Sequence, residues 1–231
     1  MSIYIVGDLH LSKSDNIEKP MSVFGYNWDN HDEKIENDWL RRVNESDMVI
    51  LAGDISWAMK LEDVKADFDW LSTLPGKKVM IKGNHDYWWQ SLSKMKKAFP
   101  DVEFLQNSYY NVGDIAICGS RGWICPGTDG FKESDKKIYN RELLRMETSL
   151  KQATLSAANE IIAVMHYPPT NEKKYPSGFT ELFEQYSVKN VYYGHLHGKN
   201  NFFRGLEGVF NGIEYKLISI DKLNFKLWKI R

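Results

Sequence analysis

The stretch Lys82-Gly83-Asn84-His85-Asp86 directly follows the apolar run Val79-Met80-Ile81. A short apolar run of this kind is typical of a buried strand. The stretch therefore places an amide, an imidazole and a carboxylate on consecutive residues where a strand ends. These are groups that bind metal ions or transfer protons in active sites. The pattern predicts a functional site at the end of this strand.

Four other segments have the same arrangement, in which an apolar run precedes polar side chains. They are Ile3-Tyr4-Ile5-Val6 before Gly7-Asp8-Leu9-His10, Met48-Val49-Ile50-Leu51 before Gly53-Asp54, Ile161-Ile162-Ala163-Val164-Met165 before His166, and Val191-Tyr192-Tyr193 before Gly194-His195-Leu196-His197. In open α/β sheets, ligands bind in the crevice beyond the carboxyl ends of the strands. The sequence therefore predicts that these polar side chains lie at one end of the strands.

Length and composition favour one globular domain over residues 1–231, because 231 residues with 42% hydrophobic content can bury a sizeable core. The formal net charge of -1 provides no global field that would attract nucleic acid or an anionic membrane. No apolar run approaches the roughly 20 residues of a membrane span, and no signal peptide pattern is present. We expect a cytoplasmic protein without a membrane or an obligatory protein partner. Cys118 and Cys125 are expected to be buried, inert thiols.

The order of the predicted elements defines the fold class. Helical spacing of apolar residues predicts helices near residues 32–44, 60–74, 89–98 and 180–186, and one of about 25 residues from residue 134. Helices between the early strands imply parallel pairing, whereas the alternating strands after residue 201 predict an antiparallel β-meander. We expect two packed mixed sheets with helices outside. His31, in a long polar loop, is expected on the surface.

The polar residues at the strand ends form a set of metal ligands. In Asp8-x-His10 and His195-x-His197, extended backbone turns both side chains to one side. The set consists of aspartate, histidine and asparagine side chains and contains no thiolate. These oxygen and nitrogen donors suit manganese, iron, zinc or nickel. Any one cluster alone is equally consistent with a hydrogen-bonded structural histidine, but five of the six histidines fall in these clusters.

Seven ligands exceed what one ion needs. If one carboxylate bridges, they divide into two four-ligand sites, the two-metal arrangement used for in-line displacement at phosphorus, with ions about 3.5 to 4 Å apart. Two divalent ions and two carboxylates leave a charge of roughly +2, which matches a phosphate anion.

These motifs resemble the calcineurin-like metallophosphoesterase superfamily, whose pattern is Asp-x-His, Gly-Asp, Gly-Asn-His-Asp/Glu, His and Gly-His-x-His in that order. All five blocks are present, and the chain is most similar to compact bacterial predicted phosphohydrolases. The resemblance implies a four-layer α/β/β/α sandwich of two mixed β-sheets flanked by helices. It also implies that a metal-bridging hydroxide attacks phosphorus in line. By the same resemblance Asp8, His10 and His197 would hold one metal ion, Asn84, His166 and His195 would hold the second, and Asp54 would bridge them.

The resemblance implies a catalytic role for His85, which would stabilise the phosphoryl oxygens and protonate the leaving group. Asp86 is a candidate partner that orients this imidazole, and the alternative is a carboxylate at a helix N-terminus. Non-enzymatic members of the superfamily are scaffold proteins that have lost ligands or this histidine. The chain retains all of them, which favours an enzyme over a protein-binding scaffold.

Substrate class follows from the loops beside the motifs. Gly53-Asp54-Ile55-Ser56-Trp57 lacks the phosphate-clamping arginine that protein phosphatases carry at this place, which argues against that activity. The missing arginine slightly favours a phosphodiester over a phosphomonoester, and a small-molecule phosphomonoesterase is the alternative. Trp57 and Trp88 are candidates for stacking on a small phosphorylated substrate, such as a nucleotide, or else they pack the fold. Arg121 is a candidate phosphate clamp or, equally, part of a salt bridge.

Overall fold

A computed structural model describes all 231 residues. Its strands are β1 (Ile3–Val6), β2 (Met48–Ala52), β3 (Lys77–Ile81), β4 (Val102–Phe104), β5 (Tyr109–Val112), β6 (Ile115–Ser120), β7 (Glu160–Met165), β8 (Asn190–Tyr193), β9 (Gly208–Phe210), β10 (Ile213–Leu217) and β11 (Trp228–Lys229). Its helices are α1 (His31–Arg42), α2 (Lys65–Thr73), α3 (Leu92–Ala98), α4 (Glu133–Ala153), α5 (Gly178–Gln185) and α6 (Lys199–Phe202). Short 3-10 helices span Met21–Phe24 and Tyr26–Trp28. None of the helices is long and apolar enough to cross a membrane.

The chain forms two compact units, of which the first comprises Met1–Phe104 and Ile218–Arg231. Its sheet has the strand order β11-β1-β2-β3-β4. Strands β1 to β4 are parallel, and β11 pairs antiparallel with β1. Side chains of α1, among them Ile35 and Trp39, pack in one core cluster with Tyr4 of β1 and Val49 of β2. Because β1, β2 and β3 are parallel, their carboxyl ends lie along the same edge of this sheet.

The second unit spans Leu105–Leu217. Its sheet has the order β5-β6-β7-β8-β10-β9, with β6, β7, β8 and β10 parallel and the two outer strands antiparallel to their neighbours. The long helix α4 contributes Met146 and Leu150 to the core cluster that contains Ala116 and Cys118 of β6. Strands β7 and β8, which precede the predicted histidine ligands, are neighbours in this sheet.

The predicted α/β class, with two mixed sheets and flanking helices, is confirmed. The predicted β-meander at the end of the chain is wrong. Among the strands after residue 201, only β9 and β10 form an antiparallel hairpin. Strand β10 also pairs parallel with β8, and β11 joins the sheet of the first unit. Alternating apolar residues predict a strand but not its partner, which explains the error. The expectation of one domain over residues 1–231 stays a prediction.

The expectation that His31 lies on the surface is also wrong. His31 is the first residue of α1 and is buried, and its Nε2 lies 3.1 Å from the carbonyl oxygen of Leu9. Burial lowers the pKa of this imidazole, because the charged form loses hydration. The ring also packs edge-on against Trp28, at a centroid distance of 5.5 Å. His31 is therefore buried against the polar loop and does not lie on the surface.

The two cysteines are as expected. Cys118 and Cys125 are free and buried, and burial raises the pKa of each thiol to about 12. Both remain protonated at neutral pH, which makes them poor nucleophiles and poor metal ligands.

Candidate metal centre

The first three ligand residues of the first unit sit on strained backbone directly after β1 and β2. Asp8, His10 and Asp54 have φ angles of +65°, +47° and +50°, which lie in the left-handed region. Such residues cost of order 1–3 kcal/mol each and cluster at functional sites. All three side chains are buried, with exposed fractions of 2% or less. The fold thus accepts strain to direct three polar side chains inward.

Backbone hydrogen bonds join the loops that follow β1 and β2. The N–H of Asp8 donates to the carbonyl of Gly53 at 3.0 Å, and the N–H of His10 donates to the carbonyl of Asp54 at 3.0 Å. Leu11 continues the pattern with Ile55 at 2.9 Å. These bonds fix the position of the loop after β1 relative to the loop after β2. The main chain therefore determines the spacing between the side chains of the two loops.

The resulting side-chain geometry fits a cation. Asp8 offers a ligand atom within 4.8 Å of one on His10 and of one on Asp54. The Nε2 of His10 lies 3.9 Å from Oδ2 of Asp54. Two buried carboxylates this close repel each other unless a positive charge lies between them. Carboxylate and imidazole donors are those that divalent transition metals prefer.

Asp86 ties the loop after β2 to the loop after β3. Its Oδ2 accepts the backbone N–H of Asp54 at 2.9 Å and of Gly83 at 2.7 Å. Its Oδ1 accepts the N–H of Ile55 at 2.9 Å and of Ser56 at 3.3 Å. The carboxylate is fully buried. Both of its oxygens are therefore used to position the backbone that carries the predicted ligands Asp54 and Asn84. No helix begins at Asp86, so the alternative role at a helix N-terminus is wrong.

Gly83 is required where these two loops meet. A Cβ at this position would lie 2.1 Å from both the backbone nitrogen and Oδ1 of Asp54. Real Cβ atoms do not approach other heavy atoms so closely, so any larger residue must displace Asp54. The glycine thus permits the close approach that places Asn84 beside the loop of Asp54.

His85 and Trp57 lie in the same unit. The backbone N–H of His85 donates to Oδ1 of Asp54 at 2.8 Å, and the residue is half-buried. The Trp57 ring stacks on His10 at a centroid distance of 4.6 Å and an interplanar angle of 19°. The same ring lies 4.6 Å from His85. Trp57 therefore supports two site imidazoles, and the Nζ of Lys19 lies 4.4 Å from the centre of the same ring.

Trp88, in contrast, is fully buried. Its Nε1–H donates to Oδ1 of Asp86 at 3.1 Å, and its ring packs edge-on against Phe68 at 5.3 Å. A side chain without exposed surface cannot stack on a substrate, so the predicted substrate contact at Trp88 is not supported. Trp88 instead holds the Asp86 carboxylate in place.

In the second unit, His166 and His195 follow the neighbouring strands β7 and β8. The Nδ1 of His195 lies 3.2 Å from the Nε2 of His166. This separation fits a hydrogen bond, and it also fits two nitrogens on one ion, since metal–nitrogen distances of 2.0–2.1 Å place tetrahedral ligands about 3.3 Å apart. His166 is fully buried, and His195 has a φ of +74°. His197, two residues further on, is half-buried.

Tyr167 and Arg121 surround these histidines. The Tyr167 ring lies 4.1 Å from the His195 ring. The carbonyl of Arg121 accepts the N–H of His166 at 3.2 Å and that of Tyr167 at 3.0 Å. The end of β6 therefore fixes the backbone at the end of β7, and an aromatic ring fixes the orientation of His195.

The Arg121 side chain is held by two groups. Its Nη2 lies 3.3 Å from Oε1 of Glu142, and its guanidinium lies 4.6 Å from the centre of the Trp123 ring. Burial lowers the pKa of this guanidinium, and the nearby carboxylate of Glu142 opposes that shift. Arg141 and Arg145 also contact Oε1 of Glu142, at 3.6 and 2.8 Å. Three arginines on one buried carboxylate leave an excess of positive charge, and Arg121 forms a salt bridge within this group.

Sequence patterns did not reveal Glu142 as part of this region. Glu142 lies on α4 among charged residues that resemble a solvated face, and no pattern predicts that it is fully buried. Its spacing of three residues from Arg145 is the one available signal. Tyr167 directly follows His166, so its proximity to that ligand was visible but its packing on His195 was not.

Comparisons with known proteins agree with the fold and show the family. The family model of calcineurin-like phosphoesterases matches residues 1–199. A protein of unknown function from Aquifex aeolicus, AQ665, is similar in structure, with a TM-score of 0.54 and 14% identity over 99% of this chain and 95% of that chain. The protein TT1561 of Thermus thermophilus is similar with a TM-score of 0.56 and 11% identity, over 98% of this chain and 96% of that chain. At such identities the likeness concerns the fold alone. No match was found among curated proteins.

Proposed function

The chain belongs to the calcineurin-like phosphoesterase family, and from that premise we propose that it is a dinuclear metal-dependent phosphoesterase with a slight preference for phosphodiesters. The family assigns metal-dependent hydrolysis of phosphoesters, and the chain contains the carboxylate and imidazole clusters that this chemistry needs. The observation that carries the proposal is the buried set of Asp8, His10 and Asp54 on left-handed backbone.

Two divalent ions are the proposed cofactors, and manganese, iron, zinc and nickel are the candidates. The proposed ligands are Asp8, His10, Asp54, Asn84, His166, His195 and His197, with Asp54 shared by both ions. Such ions neutralise phosphate charge and lower the pKa of water, so that a nucleophile is available at neutral pH. The hydrogen bonds within each unit pre-orient the protein ligands, which reduces the entropy cost of binding the ions.

His85 is the proposed general acid. Its backbone is fixed to Asp54, its ring lies against Trp57, and it is half-buried, so its imidazole can reach a bound phosphate. A protonated imidazole donates hydrogen bonds to the phosphoryl oxygens and then a proton to the leaving oxygen. The part of Asp86 in this scheme is to position the backbone of Gly83 and of the Asp54 loop rather than to contact substrate.

Arg121 and Trp57 are the proposed substrate-binding residues. A guanidinium binds phosphate oxygens in a bidentate manner. An indole ring provides a flat apolar surface for a planar group of the substrate. The preference for a diester rests on Gly53-Asp54-Ile55-Ser56-Trp57, which has no arginine that would clamp the dianion of a monoester. A small phosphorylated substrate, with a nucleotide as one candidate, and a cytoplasmic location belong to the same proposal.

Hydrolysis of two chromogenic substrates tests this function. Protein stripped of metal and reloaded with manganese is assayed with bis(p-nitrophenyl) phosphate and with p-nitrophenyl phosphate. We expect metal-dependent turnover of the diester that exceeds turnover of the monoester. Turnover of the monoester alone would identify a phosphomonoesterase. Turnover of neither substrate with any candidate metal would favour the scaffold alternative.

Two variants separate the roles of the residues. His85→Ala is expected to retain bound metal and lose at least about 100-fold in turnover, the usual contribution of general acid catalysis. Asp54→Ala is expected to lose both metal and turnover, because it removes the bridging ligand. If His85→Ala hydrolyses the substrate as fast as the wild type, the assigned role of His85 is wrong.

A further inference from the structure

Lys19, in the loop between β1 and α1, lies over the Trp57 ring of the first unit. Its Nζ is 4.4 Å from the ring centre, the residue is exposed, and its ammonium forms no ion pair. Ile17 and Met21, two residues away on either side, pack in the core cluster of this unit. The backbone at Lys19 is therefore anchored, while its ammonium stays accessible to a ligand.

The Trp57 side chain is itself held in place by the residues around it. Its backbone N–H donates to the carbonyl of Leu11 at 3.0 Å, and its Nε1–H donates to Sδ of Met21 at 3.1 Å. The ring stacks on His10, and its centre lies 4.6 Å from that of the His85 ring. One indole ring thus contacts the Lys19 ammonium, a predicted metal ligand and the proposed general acid.

The charge of Lys19 indicates the chemistry of the group that it can bind. The stretch Gly53-Asp54-Ile55-Ser56-Trp57 contains no arginine that could contact a phosphate. Lys19 can supply a positive charge at this place from a different loop, because its flexible four-carbon stem lets the ammonium move from the Trp57 ring to a nearby oxygen. An anionic oxygen is a stronger partner for an ammonium than an exposed aromatic ring.

We propose that Lys19 is a substrate-binding residue, whose ammonium contacts a negatively charged phosphoryl oxygen of the substrate beside His85. The inference rests on the proposed function, because it takes the scissile phosphate to lie within reach of His85. Lys19 and His85 would then each donate a hydrogen bond to the same phosphoryl group. The charge, and not the apolar stem of the lysine, is what the substrate recognises.

The test measures the binding of methylphosphonate, an anion whose carbon–phosphorus bond resists hydrolysis. Calorimetry is performed on the full chain loaded with manganese. Lys19→Met keeps an apolar stem over Trp57 and removes the charge, and we expect it to bind methylphosphonate about fivefold more weakly than the wild type, the upper limit for one exposed ion pair. Lys19→Arg retains the charge and should bind within about twofold of the wild type.

A second lysine in the same unit provides the matched control. Lys34 is exposed, and its Nζ lies 5.1 Å from the centre of the Phe225 ring. Lys34→Met therefore removes the same charge from another aromatic ring, and its affinity for methylphosphonate should stay within about twofold of the wild type.

Salt separates the charge of Lys19 from its packing. At about 0.5 M sodium chloride, the difference in affinity between the wild type and Lys19→Met should fall below about twofold, because screening weakens an exposed ion pair. A loss of packing on Trp57 would not respond to salt in this way.

The outcomes distinguish this inference from the proposed function. Equal affinities of the wild type and Lys19→Met, or an equal loss in Lys34→Met, would overturn the role of Lys19 and leave the proposed function intact. A loss that Lys19→Arg shares, or that persists at high salt, would show an effect of packing and would overturn the inference as well. If methylphosphonate does not bind to the wild type in a metal-dependent way, the proposed function fails and the inference fails with it.

Discussion

The two units hold predicted ligands of the same chemistry by different means. In the first unit, Asp8, His10 and Asp54 lie on loops that backbone hydrogen bonds and the buried Asp86 carboxylate join to one another. In the second unit, the carbonyl of Arg121 accepts the N–H groups of His166 and Tyr167, and ring packing between Tyr167 and His195 takes the place that the buried Asp86 carboxylate has in the first unit. Hydrogen bonds to a buried charge are directional and costly to break, whereas ring packing tolerates small shifts. We therefore expect substitutions in the first unit to have larger effects.

The largest effect is expected for Asp86→Ala. The substitution leaves several buried N–H groups without an acceptor, so the free energy of unfolding should fall by about 4 kcal/mol, as measured by urea denaturation. Asp15→Ala, at an exposed acidic residue, is the control and should change stability by less than about 0.5 kcal/mol. A loss in Asp86→Ala as small as that of the control would show that the carboxylate does not hold these loops.

Gly83→Ala is expected to create a clash with backbone atoms, whereas Gly178→Ala, its counterpart in the second unit, is expected to create a clash with side-chain atoms. The new Cβ would lie 2.1 Å from the backbone nitrogen of Asp54, which cannot move away without disturbing the ligand loop. We expect a loss of about 3 kcal/mol in stability and weaker binding of manganese. At Gly178 in the second unit, the nearest atoms are side-chain ends, with Leu143 Cδ2 at 2.9 Å. Gly178→Ala should therefore cost clearly less, and equal losses would remove the distinction.

Tyr167→Ala tests the ring packing of the second unit. Removal of the Tyr167 ring leaves one side of the His195 imidazole unpacked. We expect the free energy of unfolding to fall by about 2 kcal/mol. Manganese affinity should fall about tenfold, as is usual when a group that orients a metal ligand is removed. Tyr167→Phe keeps the ring and should retain both properties. A similar loss of affinity in Tyr167→Phe would assign the effect to the hydroxyl instead.

The smallest effect is expected for Trp57→Phe. The substitution retains an aromatic ring beside His10 and loses the contact of Nε1 with Met21 Sδ at 3.1 Å, which is a weak hydrogen bond. Stability should change by less than about 1 kcal/mol. Trp57→Ala removes the ring and should weaken manganese binding measurably. Equal behaviour of the two variants would mean that the ring does not support His10.

Much of the fold, and the placement of the candidate ligands directly after the strands, followed from the sequence because both depend on local patterns. Apolar runs that end in polar residues identified β1, β2, β3, β7 and β8, and the order of the motifs identified the family. The partners of the last strands did not follow, because the alternation in β10 is satisfied by either parallel or antiparallel neighbours. The burial of His31 was missed because its surroundings come from Leu9, which is distant in sequence, and from Trp28, which lies in a short 3-10 helix that the sequence did not predict.

The roles of supporting residues were the least predictable part of the site. Asp86 stands beside His85 in sequence, which suggested a contact with the imidazole, yet that adjacency says nothing about the N–H groups that converge on the carboxylate. The same holds for Trp88, whose burial results from Phe68 on α2. The sequence identified candidate metal ligands, catalytic residues and substrate contacts. Packing in three dimensions determines which of these side chains are exposed enough to contact a substrate.

We expect the loops that carry Asp8, Asp54, Asn84, His166 and His195 to hold two metal ions per chain. Metal stoichiometry tests this expectation most directly. Chelator-treated protein is titrated with manganese, and bound metal is measured by mass spectrometry after desalting. We predict about two ions per chain in the wild type and in His85→Ala, and substantially fewer in Asp54→Ala. Absence of retained metal in the wild type, or equal retention in Asp54→Ala, would contradict the claim.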